Sequence, residues 1–119
     1  MPVRSLTSAV FKWPNREDVL AVARAWATAL RRQDPNVARV ACIGSYARND
    51  WGVGSDLDVI VVLQDCTLSA VERQARYEPK EIPVPVDLWV YAQTEWEQVH
   101  VHAPHLWQRL QNEMLDLSE

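Results

Sequence analysis

The sequence predicts a small α/β (α+β) domain with helices packed on a sheet. Three observations predict it. A chain of 119 residues has room for one hydrophobic core, so residues 1–119 are expected to form a single domain. Apolar residues make up 48% and charged residues 24% of the chain, the balance of an ordered globular protein. Segments with helical or strand-like spacing follow one another in the order helix, strand, strand, helix, strand, helix, helix.

The first long helix is predicted over Asn15–Arg32. Its apolar residues recur at helical spacing and form one stripe, made of Val19, Val22, Ala23, Trp26 and Leu30. Asn15 can cap the start of the helix, and Asp18 lies in the first turn, where negative charge is favoured. The segment Asp34-Pro35-Asn36 is a stop signal.

Three strands are predicted, at Val37–Ile43, Leu57–Leu63 and Val84–Tyr91. The second, LDVIVVL, has apolar residues on both faces, so we expect it to be a buried central strand. Pro83 and Pro85 mark the beginning of the third, since proline is tolerated at the start of a strand.

Two capping boxes and a proline predict the remaining helices. Ser69-x-x-Glu72 opens a short helix over Ser69–Tyr77, and Thr94-x-x-Glu97 opens another that runs to about Val101. Pro104 opens the last helix, whose apolar stripe comprises Ala103, Leu106, Trp107, Leu110 and Met114.

Composition excludes several classes of protein. The net charge of −4 argues against a nucleic-acid binder, which needs a basic face. No apolar run approaches the roughly 20 residues of a membrane span, and residues 1–10 lack the apolar region of a secretory signal. Cys42 and Cys66 lie far apart in sequence, so they are expected to be reduced thiols in a cytoplasmic protein.

The segment Cys42–Val62 holds the first candidate site. Gly44-Ser45 follows a predicted strand, and Tyr46-Ala47-Arg48 can begin a short helix, which leaves backbone N–H groups free to bind phosphate oxygens. Glycine allows a phosphate to approach the backbone closely, and the Ser45 hydroxyl can add a hydrogen bond. A plain turn fits the same residues.

Three aspartates form the second candidate site. Asp56 and Asp58 are two residues apart at the head of a strand, so both side chains point to the same face. Such carboxylates repel unless a cation lies between them, and Mg²⁺ suits oxygen ligands. Asp87 lies within the third predicted strand and can reach this pair if the two strands are neighbours. The alternatives are solvated carboxylates in a turn and, for Asp87, an exposed sheet face.

These motifs together resemble a known superfamily. Gly44-Ser45, ten residues, then Asp56-x-Asp58 resembles the signature of the polymerase-β-like nucleotidyltransferases. GSYARND…GSDLDVIVV with the later Asp87 more narrowly resembles the minimal nucleotidyltransferase (MNT) antitoxins of MNT–HEPN toxin–antitoxin pairs. The matched core runs over about 37–91, and the resemblance implies a small mixed sheet. Asn49 stands where the family most often has glycine, and asparagine tolerates a left-handed backbone.

The resemblance also implies roles for the site residues. Asp56, Asp58 and Asp87 would bind metal, with two Mg²⁺ ions as cofactors and ATP as the donor. Asp87 would also orient the incoming hydroxyl or accept its proton. Gly44 and Ser45 would hold the β- and γ-phosphates, and Arg48 would neutralise phosphate charge or else form a structural ion pair.

The implied function is transfer of AMP to the hydroxyl group of a tyrosine on a partner HEPN toxin. Few residues follow Asp87, so the acceptor is expected to be another molecule. One alternative is an enzyme that modifies a small molecule such as an antibiotic, with a homodimer building the pocket. Another is a non-catalytic antitoxin that neutralises its partner by binding. An RNA-extending enzyme has the least support.

Histidines and tryptophans leave further alternatives open. His100, His102 and His105 resemble a metal cluster, but Pro104 interrupts them, so exposed histidines at a helix junction are expected. Trp26 and Trp107 are predicted core residues. Trp51 could line the nucleotide site or cap the fold. Trp89 shares a strand face with Asp87 and could line the acceptor side of the site, but packing under a helix is its expected role.

Overall fold

The computed structural model describes residues 14–49 and 56–118. Its elements, in chain order, are α1 (Arg16–Gln33), β1 (Val37–Ile43), α2 (Ser45–Arg48), β2 (Leu57–Leu63), α3 (Ala70–Tyr77), β3 (Val86–Ala92), α4 (Gln93–His102), α5 (Pro104–Glu113) and β4 (Leu115–Asp116). The predicted α/β class is therefore confirmed. None of the helices in these two ranges is long and apolar enough to cross a membrane.

The strands form one mixed sheet in the order β3-β2-β1-β4. β1 is antiparallel to both β2 and β4, whereas β2 is parallel to β3. Every residue of β2 except Asp58 is buried, which confirms the predicted central strand. The parallel pairing of β2 and β3 is the feature that places Asp58 beside Asp87.

Each face of the sheet has its own core. Val59, Val61 and Leu63 of β2 face the larger core, which also contains buried residues of α1 and Tyr77 of α3. The alternate residues Ile60 and Val62 face a smaller core, built mainly from α4 and α5. Asp58 precedes them on that second face and is only half-buried, so the end of this face is accessible.

Two predicted helix caps are present. The Asn15 side chain accepts a hydrogen bond from the Asp18 backbone N–H at 2.8 Å. The Ser69 hydroxyl accepts from the Glu72 N–H at 3.2 Å, while the Glu72 carboxylate accepts from the Ser69 N–H at 2.8 Å. Each cap satisfies backbone donors that a helix start leaves without partners.

The predicted Thr94-x-x-Glu97 capping box is wrong. α4 begins at Gln93, and the Glu95 carboxylate accepts from the Ala92 N–H at 2.7 Å. A tertiary contact explains this different start: Arg73 of α3 donates to the Glu95 carboxylate at 2.7 Å and fixes it at the start of the helix.

The ends of the sheet also differ from the prediction. β3 begins at Val86 instead of Val84, because the Pro85 carbonyl accepts from the Leu57 N–H at 2.9 Å and pairing with β2 starts there. β4 was not predicted, since two residues are too short to show a pattern. It pairs with β1 at Ala41 and Cys42.

Side chains of α3 fix the outer edge of β3. Gln74 Nε2 donates to the Leu88 carbonyl at 2.7 Å, and Arg73 Nη1 donates to the Val90 carbonyl at 3.1 Å. These bonds occupy carbonyl groups that an edge strand would otherwise present to another chain. β3, which carries Asp87, is thus held on both sides.

Both cysteines are free thiols, as predicted. Burial raises the pKa of the Cys42 thiol to about 11, which keeps it protonated and chemically inert at neutral pH.

Candidate functional site

Two of the three predicted aspartates lie directly opposite each other. Asp58 on β2 is the register partner of Asp87 on β3. Asp56 is exposed and comes immediately before β2, whose first residue is fixed by the bond from the Leu57 N–H to Pro85. The fold therefore gathers these carboxylates at one end of the sheet, as the sequence predicted for neighbouring strands.

The electrostatics of Asp58 show how closely the carboxylates approach. Partial burial, the charges of Asp87 and Asp56 and a hydrogen bond to Asp87, in that order of size, together raise the pKa of Asp58 to about 6. Arg48 opposes this shift in pKa. The fold thus concentrates negative charge where a cation would relieve the repulsion.

The Gly44-Ser45 turn leads from β1 into α2, a single helical turn. Gly44 has a φ of +76°, a conformation that L-residues with a side chain rarely adopt. Asn49 ends α2 with a φ of 63°, so asparagine does supply the left-handed residue for which the family most often uses glycine. The departure from the family pattern leaves the turn intact.

The turn and the aspartates are in direct contact. Ile43 is the register partner of Asp58, so the residue after Ile43 lies beside that carboxylate. A Cβ atom at Gly44 would overlap the Asp58 carboxylate. Glycine is required here for its backbone conformation and for space.

One site residue was not predicted from the sequence. Glu113, the last residue of α5, accepts hydrogen bonds from the Gly44 N–H and from Arg48 Nη1, each at 3.2 Å. Arg48 therefore forms the structural ion pair that the sequence left open as an alternative. A single glutamate at a helix end carries no local signal of this contact, which α5 makes from 65 residues away along the chain.

The donor set fits Mg²⁺. Carboxylate oxygens are the hard ligands that this ion prefers, and it is usually held by one or two carboxylates together with substrate phosphates. Within 14–49 and 56–118, no three acidic, histidine or cysteine side chains are grouped tightly enough to hold a metal by themselves. Asp58 and Asp87, opposite each other on neighbouring strands, supply two such carboxylates, and Asp56 is close enough for its charge to act on Asp58.

The chain that carries this turn and these aspartates matches a known protein family. The model of the nucleotidyltransferase domain matches residues 24–114, well over half of the chain. The chain belongs to the nucleotidyltransferase domain family. The matched range contains the Gly44-Ser45 turn, all three aspartates and Glu113 of this nucleotidyltransferase domain. No curated protein sequence gives a significant match.

Solved structures confirm the fold of this nucleotidyltransferase domain. A candidate nucleotidyltransferase from Sulfolobus solfataricus is 20% identical with a TM-score of 0.59, over 85% of this chain and 80% of that one. A toxin–antitoxin with AMP-PNP is 20% identical with a TM-score of 0.52, over 87% and 73% of the two chains. A mutant of the toxin–antitoxin MntA–HpeT gives 18%, a TM-score of 0.50 and the same coverage. The predicted resemblance to polymerase-β-like nucleotidyltransferases is confirmed.

Of the histidines and tryptophans that the sequence singled out, all but Trp51 lie within the described residues. His100 stacks on Trp107 with ring centroids 5.3 Å apart, and the three C-terminal histidines form no metal group with other described residues. Trp26 and Trp107 pack against the two cores, as predicted. Trp89 was expected under a helix but is 41% exposed, because α4 and α5 cover the neighbouring part of the sheet. Trp51 lies outside the described residues.

Proposed function

We propose that this nucleotidyltransferase domain, acting as one catalytic unit, transfers AMP from ATP to a hydroxyl of a HEPN toxin and so serves as its antitoxin. The observation that supports it most is the contact between the Gly44 turn and Asp58, itself opposite Asp87. A turn for phosphates beside a carboxylate cluster for cations is what nucleotidyl transfer requires. The location that we propose for it is the cytoplasm.

The proposed reaction is an in-line displacement at the α-phosphorus of ATP. The hydroxyl oxygen of the acceptor forms a bond to the α-phosphorus, and the bond from that phosphorus to the bridging oxygen breaks. Pyrophosphate leaves with that oxygen, and the hydroxyl proton passes to a carboxylate or to water. The products are an adenylylated hydroxyl and pyrophosphate, so no other reactant is needed.

Asp87 is suited to meet the acceptor. It is exposed, whereas Asp58 beside it is half-buried, so a hydroxyl on another molecule can approach Asp87 from solvent. Its carboxylate would orient this hydroxyl or accept its proton. Asp56, Asp58 and Asp87 would hold two Mg²⁺ ions, which when bound neutralise phosphate charge and align the attacking and leaving oxygens.

The phosphates would lie on the turn. The Gly44 N–H and the Ser45 hydroxyl are the donors proposed for the β- and γ-phosphates, and Arg48 adds positive charge. A carboxylate already accepts hydrogen bonds from the Gly44 N–H and Arg48 in this structure, which supports their use as donors to anionic oxygens.

The toxin as acceptor rests on the resemblance to MNT antitoxins. The similar MntA–HpeT complex is a toxin–antitoxin, and its mutant replaces two aspartates two positions apart with glutamate. Asp56 and Asp58 have the same spacing in this chain. A tyrosine is the proposed acceptor residue, because the resemblance implies it.

Intact mass spectrometry tests this proposal. The protein would be mixed with Mg²⁺, each of the four nucleoside triphosphates in turn, and the protein encoded beside it. We expect the partner to gain the mass of one or more AMP groups with ATP only. Binding without a gain in mass would favour a non-catalytic antitoxin, and the absence of both would favour a small-molecule acceptor.

A Ser45→Ala variant tests the turn by itself. We expect the affinity for ATP to fall by about 0.5–1.5 kcal/mol, the contribution of one hydrogen bond. Calorimetric titration measures this, with Ser69→Ala as a control that removes a hydroxyl from the distant α3 cap. Equal affinities of the wild type and the Ser45 variant would remove this hydroxyl from the site.

A further inference from the structure

Glu113 makes two contacts that the proposed reaction does not use. Its Oε1 accepts from the Gly44 N–H, and its Oε2 accepts from Arg48 Nη1, each at 3.2 Å. The Glu113 side chain is only 15% exposed, while that of Arg48 is 44% exposed. The carboxylate is therefore set into the site, with the guanidinium on its outer side.

The same two groups are the donors proposed for phosphate. A backbone N–H has one hydrogen, so it cannot donate in good geometry to Glu113 and to a phosphate oxygen at once. Carboxylate and phosphate oxygens are both anionic acceptors, and Arg48 binds either. Glu113 and a nucleotide phosphate are therefore competitors for one position.

The fold keeps this competitor in place. Upstream of Glu113, Leu110 of α5 is buried in the smaller core with Ile60 and Val62. Directly downstream, β4 pairs with β1 at Ala41 and Cys42. Because the chain is anchored on both sides of Glu113, its carboxylate acts at a high effective concentration. A weakly bound anion therefore cannot displace it.

We infer that Glu113 is a further residue of the nucleotide site, which occupies the phosphate-binding donors and must be displaced when a nucleotide binds. This inference rests on the proposed function. If Glu113 competes with phosphate, its removal strengthens nucleotide binding. Removal of a purely structural residue would not have this effect on nucleotide affinity. The return of Glu113 to Gly44 and Arg48 also assists the release of pyrophosphate after transfer.

Calorimetric titration of the full chain with Mg²⁺ and AMP-PNP, a non-hydrolysable triphosphate, tests the inference. Glu113→Gln preserves the shape and removes the charge, and we expect binding to be ~3–10-fold tighter than that of the wild type. Inorganic pyrophosphate, titrated in the same way, is expected to show a gain of similar size.

Asp116→Asn is the matched control. Asp116 is three residues further along the chain and also forms an ion pair, with Arg39 at 2.8 Å, so its neutralisation changes the net charge equally. We expect its affinity to stay at the wild-type level. In a chain that carries Arg48→Gln, the gain from Glu113→Gln should be smaller, because one of the two contested donors is gone.

The outcomes separate this inference from the proposed function. Equal or weaker binding by Glu113→Gln, with a wild type that binds, would overturn the inference and leave the function standing. If Glu113→Gln fails to fold, Glu113→Asp is the second variant to titrate. Its shorter side chain moves the carboxylate away from the Gly44 and Arg48 donors, so it should also strengthen nucleotide binding. If no variant and no wild-type protein binds any nucleotide, both the function and the inference fail.

Discussion

Replacing Asp58 with asparagine is expected to abolish nucleotidyl transfer while making the metal-free protein more stable. Asp58 lies beside the Gly44 turn and opposite Asp87, and its charge is proposed to hold the cation. Removing one such charge-stabilising group lowers rates by roughly 10²–10³-fold. The mass-spectrometric assay measures this loss, and a variant with full activity would show that Asp58 holds no catalytic metal.

The stability of the same variant depends on pH. The fold raises the pKa of Asp58 from 3.8 to about 6, chiefly through burial and then through the neighbouring acids. The folded protein therefore binds this proton more tightly than the unfolded chain, and the resulting stabilisation is present below pH 3.8 and lost as the pH rises through about 6.

We therefore expect Asp58→Asn to unfold at higher urea concentration than the wild type at pH 7.5 in EDTA. The expected gain is about 1 kcal/mol, because solvent screens a half-exposed group. This gain in unfolding free energy should vanish near pH 4. Addition of Mg²⁺ should stabilise the wild type more than the variant. Asp65→Asn, an exposed acid beyond the other end of β2, is the control and should show no such gain. If Asp58→Asn were less stable than the wild type at pH 7.5, the carboxylates would not repel one another in the folded protein as we infer.

Replacing Gly44 with alanine is expected to destabilise the protein and to remove nucleotide binding. The new Cβ would overlap the Asp58 carboxylate, and the φ of +76° is strained for any residue with a side chain. The two effects together should cost about 2–4 kcal/mol of unfolding free energy. Urea denaturation measures the loss.

A double variant separates the two causes. Asp58→Ala removes the carboxylate atoms that the alanine Cβ would meet, and leaves only a Cβ at 3.7 Å, an ordinary contact. Adding Gly44→Ala to that variant should cost only the backbone strain, about 1 kcal/mol. An equal cost in both backgrounds would mean that the turn and Asp58 do not touch.

The sequence alone determined the parts whose signal is local. The caps at Asn15 and Ser69, the buried strand β2 and the GS-x₁₀-DxD motif each depend on residues near one another in the chain. The motif was also sufficient to predict the family. Such features follow from backbone hydrogen bonding and apolar spacing, which act over a few residues.

The contacts between those local parts depend on tertiary packing. The parallel pairing of β2 with β3 put Asp87 beside Asp58, where its charge adds to the effect of burial in raising the pKa of Asp58. The start of α4 moved because Arg73 holds Glu95, and Glu113 reached the Gly44 turn from the end of α5. Each is a contact between segments far apart in sequence, whose geometry depends on the packing of the whole chain, so no local pattern of residues could specify it.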